Sequence, residues 1–550
     1  MAFVLEAWML PSLTDCLGQS DLRHEKFAAY VIENRGRFLD LSPEHEFVWA
    51  FIFVCEKEEA FLGLLMRKLV LARDDISRDE QQLLLRAKKT LIKHIENPWR
   101  LCVALLIWDW LCDFSDTAAF QKALADASKS QYNATDLPIL YPLAIKFKRE
   151  YVGSVREAVF TSFETEEIKS LSERPTGPKR TATFFLNRVP VRSNASHISQ
   201  VASYALAAST TFDHVRIVFT NERNPDCAFF NASQRGYENV AKEYLKDRIG
   251  EGSDKVEICF VSAPSEKDAL IEALANETSV CFFFLGVFEN LFLRSRVAQV
   301  SPVVEIQFAS GNRTSPFASR VLPQGRPRAG TTDSHGRTLE FFPIPIKTLK
   351  LQAPRARDIA LEGVEGEFKG RIAVTVLSNA RIEEAFSTYD HAFLDRLIGT
   401  LRAHKIGWIM VGVKTPEAIL NASPVVRAYY EEGGLVIRPF DDDLPALYEH
   451  CDMFLQLPGT SGGGMGTVSS ITSGCIALIE VATDAANSVS PDTLYDGQEE
   501  FLSMLEDFAI YPEKAKEVQE QQIATVIRHG NEEFIGKRLF EVFEDLTQPA

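Results

Sequence analysis

Two doubly wound α/β units in tandem, behind an all-helical N-terminal region, are the fold this sequence predicts. Three observations carry the prediction. Between about residues 22 and 151, apolar side chains recur every three or four positions with few glycines, the period of helices that bury one face. From 183 to 308, short apolar runs alternate with helix-length segments. After Phe342-Pro343-Ile344-Pro345 the same alternation begins again. Strands separated by helices pair in parallel and need helices on both faces of the sheet. The changes of period set the boundaries: a helical domain over 1–170, a first α/β unit over 181–345, and a second over 346–550 that includes the C-terminal helices.

Within the helical region, Glu46-Phe47-Val48-Trp49-Ala50-Phe51-Ile52-Phe53-Val54, 80–95 and 100–114 read as helices, with Pro138 and Pro142 interrupting the series. Trp49, Trp99, Trp108 and Trp110 read as core, with a peptide-binding groove as the competing reading. A polar linker, Ser172-Glu173-Arg174-Pro175-Thr176-Gly177-Pro178-Lys179-Arg180, precedes the first unit. Its strands are expected at 183–186, 215–219, 256–261, 280–285 and 303–308. Residues 310–337 read as loop; Arg313, Arg320, Arg326 and Arg328 make it either a lid over a bound ligand or a solvated surface. The second unit's strands are expected at 372–377, 407–412, 435–438, 453–457 and 475–479, with amphipathic helix from about Pro512 onward.

Composition excludes several classes of function. Hydrophobic residues at 46% and charged residues at 25% are those of a globular chain, not a disordered one. A net charge of −17 disfavours sequence-independent nucleic-acid binding, and no basic patch offsets it. The N-terminal Met1-Ala2-Phe3-Val4-Leu5-Glu6 has no basic segment of the kind that opens an export signal. No uncharged apolar run approaches the roughly 18 residues of a membrane span. Nine scattered cysteines without a C-x-x-C pair read as free thiols in a reducing compartment. A cytoplasmic protein without stable membrane insertion is expected.

The strongest chemical signal is Leu457-Pro458-Gly459-Thr460-Ser461-Gly462-Gly463-Gly464-Met465-Gly466-Thr467, after a strand and before a helix. Glycines let backbone N–H groups approach a phosphate, and a helix N-terminus adds about half a positive charge. The competing reading is a sharp turn, yet five glycines in eight positions exceed what a turn needs. No Lys follows the glycines, so it is not a Walker loop. A second signal, Ser378-Asn379-Ala380-Arg381-Ile382-Glu383-Glu384, follows the first strand of the second unit. There Arg381 can serve as a phosphate fork, or be a surface residue beside Glu383 and Glu384.

These two signals, with Trp408-Ile409-Met410-Val411-Gly412 and Asp443-Leu444-Pro445-Ala446-Leu447-Tyr448-Glu449-His450-Cys451-Asp452-Met453-Phe454-Leu455 between them, resemble the nucleotide-sugar half of a GT-B glycosyltransferase over about residues 370–480. The helical domain before two Rossmann-like units resembles, in particular, the bacterial adhesin glycosyltransferases, relatives of O-GlcNAc transferase. The resemblance implies a hexosyltransferase moving a hexose or N-acetylhexosamine from a nucleotide-diphosphate sugar, UDP-linked, to a protein side chain. It implies the nucleotide-sugar as donor substrate, no separate cofactor and no metal. Asn379, Gly462, Gly463, Gly464, Gly466, Thr467 and Ser469 would line the donor, and Arg381 would stabilise the leaving diphosphate. Two departures stand out. The family holds the donor ribose with an acidic residue five positions before the glycine at the helix end; here that glycine is Gly474 and the position is Ser469. The Glu-x7-Glu pattern of many retaining GT-B enzymes is also missing, which tilts the reading toward inversion.

In the first unit, His197 in Asn194-Ala195-Ser196-His197-Ile198-Ser199-Gln200 opens the helix after the first strand. It resembles the histidine at this place in the adhesin and O-GlcNAc transferases and would act as general base or acid, with a helix-capping or core His as the competing reading. Asp213 and His214 stand behind it as alternative bases. Asp441-Asp442-Asp443 reads as a helix start, not a metal run. The same fold acting on a polysaccharide or lipid-linked glycan, a nucleotide-sugar epimerase, and a catalytically degenerate scaffold are the competing functions.

Overall fold

The computed structural model describes most of 85–112, then 117–130, 140, 144, 148–164, 179–186, 196–220, 235–249, 254–307 apart from 262, 263 and 285–290, 314–324, 332–346 apart from 334, and 355–547 apart from 442 and 461–463. The helices expected before residue 85, with Trp49, lie outside the described residues. What is described of the N-terminal region is helical: α1 (Pro98–Leu111), α2 (Ala118–Ala127) and α3 (Val152–Glu164). Asn97 caps α1 by accepting the Trp99 and Arg100 N–H groups at 2.9 and 3.2 Å, and Pro98 takes the first helical position, where no N–H is needed. Trp99 and Trp108 are fully buried and Trp110 nearly so, as core residues are. Asp109, the one acid of this apolar helix, is buried against Lys88 at 2.6 Å. No helix among the described residues is long and apolar enough to cross a membrane.

The first α/β unit runs β1 (Arg180–Leu186), α4 (Ser196–Ser209), β2 (His214–Phe219), α5 (Arg235–Ile249), β3 (Val256–Phe260), α6 (Pro264–Ala275), β4 (Thr278–Phe284), α7 (Leu291–Val297), β5 (Val303–Gln307) and β6 (Arg320–Pro323). Its strands are parallel in the order β3-β2-β1-β4-β5-β6. Alternate residues serve opposite faces. Phe184 stacks on Phe282 in the core shared with α4 and α5, whereas Phe185 stacks on Phe283 in the core shared with α6 and α7. With both faces buried, the strands need no polar alternation, which is why they read as continuous apolar runs.

Strand β6 corrects the reading of 310–337 as loop. This short strand, ending on Pro323, pairs with the edge of β5. Its lead-in is held by the buried Arg294–Glu305 ion pair, because Glu305 also accepts the Ser315 N–H at 3.1 Å. Arg320 pairs with Asp545 and Glu340 and so is bound within the protein, not free for a ligand. Arg313, Arg326 and Arg328 lie outside the described residues.

The second unit runs β7 (Arg371–Val376), α8 (Asn379–Thr388), α9 (His391–Ala403), β8 (Ile406–Val411), α10 (Pro424–Glu431), β9 (Leu435–Arg438), α11 (Leu444–Tyr448), β10 (Met453–Leu455), α12 (Gly464–Thr472), β11 (Ile476–Glu480) and β12 (Leu494–Tyr495), in the parallel order β12-β11-β10-β7-β8-β9. The tail follows as α13 (Gly497–Ile510), α14 (Pro512–Gly530) and α15 (Glu532–Thr547). The last helix departs from the boundary expected at 346–550. Ile535, Leu539, Val542 and Phe543 of α15 are buried in the first unit's core, where α15 packs along α4. The chain thus returns to the unit it left, and further bonds tie the two. Ile344 N–H donates to Ser488 Oγ at 3.2 Å, and Asn487 Nδ2 to Gln324 O at 2.5 Å.

Candidate active site

Each sheet reverses its strand order once: between β1 and β4 in the first unit, and between β7 and β10 in the second. At such a switch point the two neighbouring strands send their chains to opposite sides, and a crevice opens at their carboxyl ends. Helix α4, with His197 in its first turn, leaves β1. Helix α8, with Asn379 and Arg381, leaves β7, and α12, with Gly464, Gly466, Thr467 and Ser469, follows β10. Helices α4 and α12 also touch. The candidates from distant stretches of sequence therefore gather at the two switch points.

Between β10 and α12 the chain is held from below. Tyr389 donates to Pro458 O at 2.6 Å, the buried Glu480 accepts the Gly459 N–H at 3.1 Å, and Gln456 donates to Thr460 Oγ1 at 3.0 Å. Tyr495 donates to Gln456 O. Sequence reasoning missed these supports. The available signal was Gln456, the one polar residue in the run Met453-Phe454-Leu455-Gln456-Leu457. Buried polar groups find partners, so a lone amide in an apolar strand marks a bonded network.

Gly464 opens α12 where nothing larger fits: a Cβ there would stand 2.8 Å from Asp484 Cβ and 2.5 Å from Ile344 Cδ1. At the other end, Gly474 has φ +96° and closes the helix, with its N–H on Ile471 O and the Cys475 N–H on Ser470 O, the left-handed cap that favours glycine. The Thr467 side chain turns inward instead of toward a ligand. It is fully buried and donates to Gln456 Oε1 at 3.3 Å, so any part Thr467 takes in holding the donor falls to its backbone. Gly466 and Ser469 are half-buried on the same helix. Gly462 and Gly463 lie outside the described residues, as does the side chain of His197.

Asn379 lies between β7 and the turn after β8. Its Oδ1 accepts the Lys414 and Thr415 N–H groups at 2.6 and 3.4 Å, and its Nδ2 donates to Thr415 Oγ1 at 3.3 Å. Glu383 binds the same Thr415 hydroxyl and is not the partner of Arg381. Arg381 is exposed and makes no ion pair among the described residues, unlike Arg216, Arg294, Arg337, Arg355 and Arg438. Its charge acts on Asp484, a residue no sequence pattern had singled out. Asp484 is 6% exposed and its Oδ1 has no hydrogen-bond partner among the described residues. Burial pushes its carboxyl up to about 7, against the opposing pull of Arg381.

The alternative bases fall away. Asp213 and His214 stand at the amino end of β2, opposite the crevice. Asp213 is held by Arg180 at 2.9 Å, which lowers its carboxyl to about 2, and His214 contacts Glu257 at 3.2 Å. Asp441 pairs with Arg355 and Arg438, while Asp443 caps α11 by accepting the Ala446 N–H at 3.2 Å. Among the described residues no group of three His, Cys, Asp or Glu side chains is placed to hold a metal ion.

No family model matches the sequence, and no curated protein matches it. Solved structures do. A point mutant of the Thermobaculum terrenum O-GlcNAc transferase aligns over 95% of this chain and 97% of its own, at 12% identity and a TM-score of 0.47. Anabaena Alr3699/HepE, solved in complex with UDP, aligns over 67% of this chain and 100% of its own, at 12% identity and a TM-score of 0.47. A glycosyltransferase from Rickettsia africae aligns over 68% of this chain and 100% of its own, at 10% identity and a TM-score of 0.43. No chemistry follows from likeness at that level. The chain's own two six-stranded parallel sheets, doubly wound and in tandem, are a GT-B type fold.

Proposed function

We propose that the protein is a glycosyltransferase that takes its donor, a nucleotide-diphosphate sugar, at the amino end of α12. The observation that carries the reading is the convergence there of an anion-attracting helix end and an exposed Arg381 without an ion pair among the described residues, whose charge is felt at the start of that helix. Backbone N–H groups at a helix start and a guanidinium together suit a diphosphate. As the bond to the sugar breaks, negative charge grows on that diphosphate, and donors already in place stabilise it. Arg381 and the amides of 462–466 take that role, so the proposal needs no divalent cation.

The finer reading rests on the resemblance of residues 370–480 and of the domain order. The donor is UDP-linked, a hexose or N-acetylhexosamine is displaced with inversion, and the acceptor is a protein side chain entering from the first unit. His197, at the first sheet's switch point, takes the proton of the acceptor. The scattered cysteines, of which Cys102, Cys112, Cys259, Cys281, Cys451 and Cys475 are free thiols, fit a cytoplasmic setting.

Binding to the folded state alone adds RT ln(1 + [L]/Kd), about 2.7 kcal/mol at a hundredfold excess over Kd. Millimolar uridine, guanosine or thymidine diphosphate is therefore expected to raise the melting temperature by several degrees. If none of the three moves it, the donor-site reading is wrong.

A further inference from the structure

Asp484 is an anomaly in the site as described so far. It sits in the segment that leaves β11, with its Cβ packed on the backbone of Gly464 at the very start of α12. A helix start and a nearby Arg both favour the ionised form of a carboxyl. Burial overrides them, and one carboxyl oxygen has no partner among the described residues. A buried acceptor left unmade is costly, so such a group persists where something outside the fold completes it.

The chemistry narrows what that something is. A diphosphate is anionic and would meet repulsion from a carboxylate; Arg381 and the helix amides already suit it. A hydroxyl is neutral and donates, which is what Asp484 Oδ1 lacks. Asp484 also lies on the side of α12 that faces the first unit. Its neighbours Asn487 and Ser488 bond to Gln324 and Ile344, and Ile344 packs on the same Gly464. The end of a nucleotide sugar that must face the incoming acceptor is the sugar, not the nucleoside.

We propose that Asp484 is the sugar-selecting residue of the donor site, accepting a hydrogen bond from a hydroxyl of the transferred sugar through its inner carboxyl oxygen. This rests on the donor-site reading above and adds to it a residue that distinguishes the sugar from its nucleotide. Asp484 acts in recognition, by leaving a buried acceptor unpaired whenever the sugar is missing or its hydroxyl is misplaced.

The test is calorimetric titration of the full chain with UDP and with UDP-glucose, with the ADP/ADP-glucose and GDP/GDP-mannose pairs run in parallel. Wild type, Asp484→Leu and Asp484→Asn are compared. Leucine has a similar volume and no acceptor, whereas asparagine keeps an acceptor oxygen without the charge. The expected result is nucleoside diphosphate affinity within about threefold of wild type in both variants. Nucleotide-sugar affinity should fall about tenfold or more in Asp484→Leu, and less in Asp484→Asn, as for a lost hydrogen bond to a charged acceptor. Equal losses for diphosphate and nucleotide sugar would place the hydroxyl on the ribose or make Asp484 structural, and either overturns the proposal. No loss for either ligand would show that Asp484 touches no ligand. If Asp484→Leu does not fold, the Asn variant decides: a selective loss of about threefold or more supports the proposal, and a smaller one overturns it. Failure of the wild type to bind any of the three diphosphates is a different pattern and sinks the donor-site reading itself.

Discussion

His197→Ala is expected to lower sugar transfer by about 10²–10⁴-fold, the range for loss of a general acid or base, while leaving stabilisation by nucleoside diphosphate intact. The split follows from placement. His197 belongs to α4, which leaves β1 at the first sheet's switch point, whereas the proposed diphosphate site is built from α8 and α12 of the other sheet. The pair of readouts separates the roles. A capping or core histidine would cost stability, lowering the melting temperature with and without nucleotide. Transfer at the wild-type rate in a folded variant would remove His197 from the chemistry. Asp213 and His214 could not replace it, since both stand at the amino end of β2, away from the crevice, and are engaged by Arg180 and Glu257. A substrate-assisted route would then be the one to pursue.

Arg381→Ala is expected to lower kcat/KM by roughly one to three orders of magnitude, as for removal of one preorganised group at developing charge. Arg381→Lys should recover only part of this, because a point charge does not reproduce the guanidinium fork. The structural cost should be small, since Arg381 is exposed and forms no ion pair among the described residues. A second effect belongs to the same change. Arg381 opposes the upward shift of the Asp484 carboxyl, so without it that carboxyl is protonated to still higher pH. Unchanged kcat/KM in a folded Arg381→Ala protein would return the residue to the protein surface.

Much of the fold was legible because parallel strands buried on both faces are written as apolar runs. Residues 183–186, 215–219 and 435–438 read directly as β1, β2 and β9, to within a few residues at their ends. Strand β6 was not legible: Arg320-Val321-Leu322-Pro323 is short, ends on a proline and sits among glycines and arginines. Strand β12 is two residues long and carries no period at all. The amphipathic pattern of 532–547 gave a helix with one buried face, but amphipathicity does not say which core receives that face. Hence α15 was assigned to the second unit and packs on the first.

The site was legible where chemistry depends on local chain geometry and illegible where it depends on burial. The glycine run does stand between a strand and a helix, as its order in the chain suggested: β10 ends at Leu455 and α12 opens at Gly464. Thr467 looked like part of that run, yet its place in the first turn of α12 turns its hydroxyl toward Gln456. Asp484 lies in the unremarkable string Val481-Ala482-Thr483-Asp484-Ala485, and only the folded chain, which sets it beside Gly464, makes it a buried, incompletely bonded carboxyl.

The measurement that tests the account most directly is release of nucleoside diphosphate from a panel of nucleotide sugars, incubated with the full chain and a mixture of candidate acceptor proteins. The account predicts release from at least one UDP-linked hexose or N-acetylhexosamine, matched by sugar on a protein, and loss of both signals together in Arg381→Ala. Release from no member of the panel by a folded protein that still binds the diphosphate would contradict it, leaving a GT-B type fold that binds nucleotide and transfers nothing.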